Sequence, residues 1–343
     1  MQTYRLALIG FGNVGQGFAQ ILVNGSEELA QRYGIKLQIV AVCDFLKGSL
    51  YNSAGLDPAQ LLESVQHEGK LNQVEATQVG WDALETITSS NADIVLELSY
   101  TDLKTGEPAL SHIRAALENK KHVVTTNKGP IALNYPQLAA LARQNQVQIG
   151  AEGTVMSGTP AIRLGQELLA GAGISRIQGI LNGTTNYILT QMEAGADYAQ
   201  ALADAQSRGY AEADPTGDVE GIDAAGKVVI LANLLMGASL TMADVKRTGI
   251  TGLTANDIAQ ASKADERWKL IGSVDNTGST IQASVQPVRL PLNHPLSAVS
   301  GATNAITYST DLLGDVTLVG PGAGRVETGY ALLSDILAIH RAS

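Results

Sequence analysis

The sequence predicts an α/β protein, with a doubly wound, mostly parallel sheet followed by a second, α+β domain that contains a mixed sheet. Three observations support this prediction. Short apolar runs alternate with amphipathic stretches over the first 150 residues, and a glycine-rich turn follows the first run. From Gly153 onward, longer helical patterns and later strands replace this alternation. A chain of 343 residues also has the length for about two domains.

Five apolar runs are predicted to be the strands of the parallel sheet. Their alternation with amphipathic stretches is typical of a sheet that is covered by helices on both faces. A later strand is predicted in the second domain, from Ser279 to Leu290. The five predicted strands are Arg5 to Ile9, Leu37 to Cys43, Asp93 to Glu97, His122 to Thr126 and Val147 to Ala151.

Four amphipathic stretches are predicted to be the helices that connect these strands. The last of them begins near Asn134, a residue type that caps helices, and has Pro136 in its first turn. The four predicted helices are Val14 to Val23, Pro58 to Gln66, Gly106 to Glu118 and Asn134 to Arg143.

Composition and charge exclude several classes of partner. The 33 acidic and 23 basic residues give a net charge of -10 without a basic run, which disfavours nucleic acid and anionic membrane surfaces. No apolar stretch approaches the roughly 20 residues that span a bilayer, and the N-terminus lacks a signal-peptide pattern. The single cysteine, Cys43, cannot form an internal disulfide. We therefore expect a protein of the reducing cytoplasm.

A glycine-rich turn directly after the first predicted strand, Gly10-Phe11-Gly12-Asn13-Val14-Gly15, has the G-x-G-x-x-G pattern and opens a helix. In Rossmann-type domains the first glycine permits the tight turn, the second lets a pyrophosphate approach, and the third lets helix and strand pack closely. The phosphates then lie at the helix N-terminus, where N–H groups and the helix dipole favour negative charge. A purely structural turn is the alternative.

Asp44 follows the second predicted strand, where an acidic residue hydrogen-bonds the ribose hydroxyls and disfavours a 2′-phosphate. This position favours NAD. Lys47 is an alternative contact for the phosphate of NADP, so both cofactors stay open. Because Asp44 lies farther from Gly15 than is usual, an inserted turn is expected around Asn24 to Tyr33.

The segment from Glu212 to Lys227 concentrates five carboxylates. Within it, Asp223 and Lys227 are spaced to share one face of a helix. Because residues 228–232 are apolar, we expect this helix to be buried and the pair to line a cleft. A lysine held there can exchange protons near neutral pH. An ordinary ion pair on a helix surface is the alternative.

The order of residues in this segment resembles the signature of the homoserine dehydrogenases. The resemblance extends from the glycine-rich turn to the last helix, and so covers essentially the whole chain. It implies the reversible NAD(P)-dependent reduction of L-aspartate 4-semialdehyde to L-homoserine, in threonine, methionine and isoleucine biosynthesis. The matching positions are Ala205-x-x-x-Gly209-Tyr210-Ala211-x-x-Asp214-Pro215-x-x-Asp218-Val219-x-Gly221-x-Asp223-x-x-x-Lys227.

The same resemblance implies roles for charged residues. Lys227 is the expected proton donor and acceptor, Asp223 orients it, and Lys128 assists near the same oxygen. The division of proton transfer between the two lysines stays open. The residues expected to bind the cationic substrate amine are Glu212, Asp214 and Asp218.

Three segments resemble segments of the homoserine dehydrogenases. In that family these segments contact the cofactor or lead the chain back into the nucleotide-binding domain. Residues 124–130 resemble a T-x-N-K-x-P-type motif at a strand end, whose lysine lies beside the nicotinamide; a solvated loop lysine is the alternative. Residues 98–101 follow the third predicted strand, and residues 320–328 resemble a glycine-rich return, although Glu327 replaces a small or apolar residue. The implied cofactor-binding residues are Gly10, Gly12, Asn13, Val14, Gly15, Asp44, Ser99, Thr101, Lys128, Gly324 and Thr328.

Homoserine dehydrogenases often hold a monovalent cation such as sodium through a carboxylate and backbone carbonyls. Met156 and Ser157 stand where glycine and alanine are common in the family. The histidines lack metal-ligand spacing and Cys43 has no evident histidine partner, so we expect no catalytic transition metal and no cysteine nucleophile. The implied cation ligands are Glu152, Val155, Ser157 and Thr159.

The resemblance also implies the domain organisation. Residues 1–150 with 320–343 are expected to form the dinucleotide-binding domain, and residues 151–319 the substrate-binding, catalytic and dimerisation domain of a homodimer. Because the last helix reaches Ser343, we expect no ACT-type regulatory domain and only weak inhibition by threonine.

Two alternatives are considered, one a related enzyme and the other a protein of another class. A sugar or inositol dehydrogenase of the glucose-fructose oxidoreductase type shares the dinucleotide fold, but has Glu where this chain has Asn127 and His where it has Lys227. A cofactor-binding redox sensor without turnover would have no need for every acid between Glu212 and Lys227.

Overall fold

The structure, a computed structural model, describes residues 1–342. The chain forms two compact units. The first comprises Met1–Gly158 together with the segment that begins at Gly324, and the second comprises Thr159–Ala323. No helix within residues 1–342 combines the length and the apolarity that crossing a bilayer requires.

The first unit contains a seven-stranded sheet, in the order β4-β3-β2-β1-β5-β6-β7. Strands β2, β1, β5, β6 and β7 are parallel, while β3 and β4 form an antiparallel edge. This arrangement confirms the predicted α/β class. The two edge strands were not predicted because they are too short to show a pattern. The strands are β1 Gln2–Ile9, β2 Ile35–Asp44, β3 Gly48–Tyr51, β4 Gln78–Val79, β5 Ile94–Glu97, β6 His122–Thr125 and β7 Ile149–Gly150.

Helices cover both faces of this sheet, and each face has its own apolar core. On one face, Leu6 and Leu8 pack with residues of α1 and of the C-terminal helix, including Phe18 and Ile336. On the other face, the alternate strand residues pack with α3, α4 and α5. The helices are α1 Asn13–Tyr33, α2 Pro58–Glu68, α3 Ala83–Ser89, α4 Ala109–Glu118, α5 Lys128–Asn145 and the C-terminal helix Arg325–Ala342.

The turn predicted around Asn24 to Tyr33 is wrong, because α1 continues through these residues to Tyr33. Leu29 is buried and extends the apolar face of the helix beyond Leu22. Its burial offsets the cost of Gly25, which is about 1 kcal/mol for glycine inside a helix. The helix ends where Gly34 adopts a left-handed conformation with φ of 68°.

The predicted start of the fourth helix at Asn134 is also wrong. Helix α5 begins at Lys128, because the side chain of Asn127 caps it by accepting a hydrogen bond from the N–H of Gly129 at 3.1 Å. Pro136 therefore lies inside the helix and not in its first turn. The true cap was hidden because the residues after it, Gly129 and Pro130, read as a loop.

The second unit contains a six-stranded mixed sheet, in the order β13-β12-β8-β10-β11-β9, which confirms the predicted mixed sheet. Only β9 and β11 run parallel. The strands are β8 Ile174–Ile180, β9 Val245–Arg247, β10 Glu266–Asp275, β11 Gln282–Pro291, β12 Thr303–Thr310 and β13 Gly314–Pro321. The helices are α6 Ala161–Arg163, α7 Gly183–Glu193, α8 Tyr198–Ser207, α9 Thr216–Val219, α10 Ile222–Leu235 and α11 Ala255–Lys263.

Helix α10 packs on one face of this sheet. A Cβ atom on Gly272 of β10 would lie 2.8 Å from side-chain atoms of both Leu181 and Val228. The absence of a side chain at Gly272 therefore lets the helix that carries Asp223 and Lys227 approach the sheet closely.

Candidate active site and cofactor-binding site

In the glycine-rich turn between β1 and α1, the first and third glycines are sterically required. Gly10 has a φ of +105°, and a Cβ there would lie 2.5 Å from the carbonyl oxygen of Leu98. A Cβ on Gly15 would lie 2.9 Å from the carbonyl oxygen of Gly10. By contrast, a Cβ on Gly12 would meet nothing within 4 Å. Gly10 and Gly15 thus close the turn, while space stays open beside Gly12.

The start of helix α1 suits a phosphate group. Gly12 is its N-cap and supplies no side-chain hydrogen bond, and the first turn contains no acidic residue. The first N–H groups of a helix and its dipole favour an anion there. Together with the open space beside Gly12, these features fit the pyrophosphate of a dinucleotide.

The carboxylate of Asp44, at the end of β2, is turned toward the backbone. One oxygen accepts a hydrogen bond from the N–H of Phe11 at 2.7 Å, and the other accepts from the N–H groups of Leu46 and Lys47 at 3.0 and 2.9 Å. The Nζ atom of Lys47 lies 3.6 Å away. Burial opposes ionisation, but these interactions outweigh it and hold the pKa of Asp44 below its ordinary value. Asp44 therefore carries charge and ties the glycine-rich turn to the following loop.

The loops after β5 and β6 are joined through Asn127. Its amide nitrogen donates to the carbonyl oxygens of Ser99 and Tyr100, at 3.1 and 2.8 Å. Its own N–H donates to the hydroxyl of Thr125 at 2.9 Å. Lys128, half-buried, is the first residue of the helix that Asn127 caps. The structure thus brings Ser99 and Lys128 into one hydrogen-bonded loop pair, while Thr101 is exposed on the same loop.

Sequence reasoning missed a buried pair beneath this loop. The Glu97 side chain is fully buried at the end of β5, and its carboxylate lies 2.7 Å from the Nδ1 atom of His112 in α4. The other carboxylate oxygen accepts hydrogen bonds from the N–H and the hydroxyl of Ser99. The sequence feature that could have indicated this pair is Glu97 itself, an acidic residue at the end of an otherwise apolar strand.

Asp223 and Lys227 form the predicted pair on helix α10. The Nζ atom of Lys227 donates to the carboxylate of Asp223 at 2.7 Å and to the carbonyl oxygen of Leu181 at 2.5 Å. Lys227 is only 6% exposed, and residues 228–232 are buried, as expected. The surface ion pair that was the alternative is therefore excluded by the burial of the lysine.

Asn182 connects this pair to Asp218 and was missed by sequence reasoning. Its amide nitrogen donates to Asp218 at 2.7 Å and to Asp223 at 3.1 Å. Burial raises the pKa of Asp218 above its ordinary value, against the hydrogen bond from Asn182, and the charge of Asp223 adds to the rise. The available signal was the polar run that follows strand β8, residues 182–186. Asn182, Asp218, Asp223 and Lys227 thus form one polar cluster.

Glu212 and Asp214 lie outside this cluster. Both residues are exposed. Hydrogen bonds from the hydroxyl and from the N–H of Thr216, the latter at 3.1 Å, hold the pKa of Asp214 below its ordinary value. Their expected contact with the substrate amine stays a prediction.

The segment proposed to hold a cation has an unusual backbone. Met156 and Ser157 have φ values of 58° and 57°, in the left-handed region that favours glycine. Glycine adopts this conformation without a steric cost, which explains why it is common at this place in the family. Glu152, Val155 and Ser157 are buried in the first unit, where Ser157 hydrogen-bonds Thr328 at 2.7 Å. Within residues 1–342, no group of three histidine, cysteine or acidic side chains is placed to hold a metal.

Thr159 and Gly324 mark the boundaries between the units. The hydroxyl of Thr159, the first residue of the second unit, donates to the carbonyl oxygen of Pro321 at 2.9 Å. Gly324, where the chain returns to the first unit, has a φ of +140°, and its carbonyl oxygen accepts from the N–H of Thr328 at 3.0 Å.

The parallel sheet with its glycine-rich turn, and the pair of a buried lysine and a half-buried aspartate, are typical of an NAD(P)-dependent oxidoreductase. The family model described as the NAD-binding domain of homoserine dehydrogenase matches residues 10–152, and the model described as homoserine dehydrogenase matches residues 160–337. The chain belongs to the homoserine dehydrogenase family.

Individual relatives agree with this assignment over the full chain. An NAD(+)-dependent homoserine dehydrogenase of Pseudomonas canavaninivorans is 49% identical over 100% of this chain and 98% of its own length. A homoserine dehydrogenase of Methanocaldococcus jannaschii is 40% identical over 98% and 99%. The solved structure of a hyperthermophilic archaeal homoserine dehydrogenase in complex with NADPH matches with a TM-score of 0.84 and 30% identity, covering 100% of this chain and 99% of that one.

These comparisons confirm the family predicted from the sequence and the use of NAD(P). They give no support to a sugar or inositol dehydrogenase or to a redox sensor without turnover. One relative is named for NAD(+) and one solved structure contains NADPH, so the comparisons support both cofactors.

Proposed function

We propose that this chain interconverts L-aspartate 4-semialdehyde and L-homoserine, with Lys227 as the group that gives a proton to, and takes it from, the reacting oxygen. The observation that supports this role is the ion pair between the buried Lys227 and the half-buried Asp223, in a chain that belongs to the homoserine dehydrogenase family. When bound, NAD(P) supplies or accepts the hydride. The protein residues bind and orient the substrate and move the proton.

The hydrogen bonds of Lys227 define how it acts. An ammonium group has three N–H donors. Two of them are directed to Asp223 and to the carbonyl oxygen of Leu181. We propose that the third meets the substrate oxygen, so that Asp223 orients the lysine during proton transfer. The family resemblance is the basis for proposing that Lys128 assists this transfer.

Asp218 is proposed to bind the substrate amine together with Glu212 and Asp214. The location of Asp218 supports this role, because its half-buried carboxylate lies in the same polar cluster as the proposed proton donor. The ammonium group of the substrate would compensate the charge of this carboxylate, which burial partly removes from water. Glu212 and Asp214 are exposed and are proposed from the family resemblance.

We propose that the cofactor lies along the carboxyl ends of β1, β2, β5 and β6. The pyrophosphate would lie at the glycine-rich turn, and NAD would be preferred because Asp44 is charged where a 2′-phosphate would come. This preference agrees with the name of the Pseudomonas relative. The residues proposed to contact the cofactor are Gly10, Gly12, Asn13, Val14, Gly15, Asp44, Ser99, Thr101, Lys128, Gly324 and Thr328.

A monovalent cation such as sodium, held by Glu152, Val155, Ser157 and Thr159, is a further proposal. The left-handed turn at Met156 and Ser157 supports it, because such a turn directs successive carbonyl groups differently from a strand or helix. Activity that depends on sodium at constant ionic strength would support the cation, and equal activity in choline chloride would contradict it.

We further propose that residues 1–150 with 320–343 serve as the cofactor domain and that residues 151–319 bind substrate and form a homodimer in the cytoplasm. The proposed dimer interface is supported by one row of small or polar residues. This row crosses the sheet of the second unit on the face opposite α10. A measured mass of one chain in solution would contradict the dimer. The row consists of Thr317, Thr307, Gln178, Ser273 and Ser284.

The direct test of the proposed function is a homoserine oxidation assay with the purified protein, followed by NAD(P)H absorbance. We expect NAD(P)H to form with L-homoserine and not with glucose or myo-inositol. Turnover of the sugars instead would favour the sugar dehydrogenase reading, and cofactor binding without any turnover would favour a sensor.

A further inference from the structure

Glu97 and His112 form a buried hydrogen-bonded pair that no step of the proposed reaction uses. Glu97 is 0% exposed and His112 is 8% exposed. The three groups around the Glu97 carboxylate are the Nδ1 atom of His112, the N–H of Ser99 and the hydroxyl of Ser99. A carboxylate accepts hydrogen bonds, so all three groups are placed to act as donors.

A buried carboxylate is costly unless its partners satisfy it, and replacing such a pair with apolar residues often costs no stability. The pair therefore requires a reason other than stability. Its effect is to fix Ser99 twice, through the backbone N–H and through the hydroxyl. Ser99 opens the loop that follows β5, at the end of the sheet where the cofactor is proposed to bind.

Two chains of hydrogen bonds connect Glu97 to Asn127. Through the side chain, Glu97 fixes Ser99, whose carbonyl oxygen accepts from the amide of Asn127 at 3.1 Å. Through the backbone, the carbonyl oxygen of Glu97 accepts from the Thr125 hydroxyl at 2.9 Å, and that hydroxyl accepts from the N–H of Asn127. Asn127 in turn caps the helix that begins with Lys128. The position of Lys128 thus depends on groups bonded to Glu97.

We propose that Glu97 and His112 are positioning residues that set the loop after β5 and the first turn of α5, and so hold Ser99 and Lys128 against the nicotinamide end of the cofactor. This proposal rests on the proposed function, in which Ser99 and Lys128 contact the cofactor. Neither Glu97 nor His112 exchanges a proton in the reaction. His112 acts on Glu97, and Glu97 acts on Ser99.

The test compares two replacements of His112. His112→Phe removes the donor to Glu97 and leaves its carboxylate with Ser99 alone. His112→Gln keeps a side-chain N–H that can donate to the same oxygen. We expect kcat for homoserine oxidation to fall roughly tenfold or more in His112→Phe and to recover most of its value in His112→Gln. KM for homoserine should change little, because the proposed amine-binding residues lie in the other unit.

A second readout reports on the cofactor without turnover. The fluorescence of bound NADH senses the surroundings of the nicotinamide, whereas ADP-ribose lacks this ring. We expect His112→Phe to alter the fluorescence of bound NADH and His112→Gln to restore it. The affinity for ADP-ribose, measured by calorimetry, should be the same in both variants and in the unchanged protein.

His122→Phe is the matched control. His122 is a half-buried histidine of the same unit, whose Nδ1 atom accepts from the N–H of Gln148 at 3.1 Å, but it lies at the opposite end of β6. We expect this variant to keep kcat and NADH fluorescence. If His112→Phe does not fold, Glu97→Gln replaces it, because an amide can serve Ser99 or His112 but cannot accept from both.

The outcomes separate the inference from its premise. Unchanged kcat and NADH fluorescence in His112→Phe would overturn the positioning role, as would equal losses in His112→Phe, His112→Gln and His122→Phe. If the unchanged protein does not oxidise homoserine, the proposed function fails, while the fluorescence comparison still decides whether the pair positions the loop.

Discussion

Two asparagines organise the polar chemistry of the two units. Asn127 and Asn182 each cap a helix with the side-chain oxygen and use the amide nitrogen to fix neighbouring groups. Asn127 holds the carbonyl oxygens of a loop, and Asn182 holds two carboxylates. An aspartate in either place could cap the helix but could not donate. The amide is therefore what these positions require.

Asp218 gives a prediction about substrate binding. Asp218→Asn should raise KM for homoserine, with a smaller change in kcat, because the amine loses a charged partner. Since the pKa of Asp218 is raised, KM should also increase as the pH falls toward that value, and Asp218→Asn should remove this dependence. Initial rates across pH check both expectations.

Glu212→Gln is the companion variant at an exposed carboxylate of the same segment. It should also raise KM for homoserine, with a smaller change in kcat. An unchanged KM in either variant would remove that residue from the amine site.

Asp44 gives a prediction about the choice of cofactor. The wild-type kcat/KM should favour NAD, and Asp44→Ser should narrow that preference by roughly tenfold because the charge that repels a 2′-phosphate is lost. Since Asp44 also holds the N–H of Phe11, the same change should raise KM for both cofactors. Steady-state rates with NAD and NADP at matched ionic strength measure the preference.

Lys47→Ala is the control for the cofactor prediction. If Lys47 instead binds the phosphate of NADP, this variant would abolish an NADP preference that weakens with added salt. An NADP preference of the wild type that survives high salt would contradict the role given to Asp44.

At the scale of elements, the sequence predicted the strands and helices whose apolar pattern is continuous. The five parallel strands and helix α10 are of this kind. The failures have local causes. Gly25 interrupts the helical pattern of α1, and Gly129 and Pro130 make the first turn of α5 resemble a loop in the sequence. Packing in α1 and the helix cap in α5 outweigh the local preference of these residues for a turn or loop.

Contacts between distant residues could not be predicted from one sequence. The pairing of Glu97 with His112 requires β5 to lie beside α4, and the bridging role of Asn182 requires the end of β8 to meet the start of α10. By contrast, Asp223 and Lys227 are one helical turn apart, so their pairing follows from spacing alone.

The packing of α1 against the C-terminal helix gives a prediction about stability. A Cβ on Gly17 would overlap the carbonyl oxygen of Arg325, and a Cβ on Gly329 would lie 2.6 Å from the N atom of Phe18. Gly17→Ala should therefore lower the free energy of unfolding by about 1–3 kcal/mol. Urea denaturation measures the change.

Gly25→Ala is the matched control in the same helix. A Cβ there meets nothing within 4 Å, so this change should raise the free energy of unfolding by up to about 1 kcal/mol. Equal effects of the two substitutions would show that the helices do not approach as closely as the structure indicates.

At the scale of the whole molecule, each of the two units contains its own arrangement of polar residues. The first unit contains the glycine-rich turn, a charged Asp44, and Lys128 in the first turn of the helix that Asn127 caps. The second unit contains the buried Lys227 paired with the half-buried Asp223. The two family models of homoserine dehydrogenase match residues 10–152 and 160–337, and so cover most of both units.

The central claim is that Lys227 moves the proton at the reacting oxygen. Lys227→Ala should lower kcat for homoserine oxidation by roughly two orders of magnitude or more, the scale of general acid–base catalysis, while the affinity for NAD barely changes. Lys246→Ala, at an exposed lysine of the same unit, should leave kcat unchanged. A near-normal kcat in a folded Lys227→Ala variant would contradict the account and move the acid–base role to Lys128 or to water.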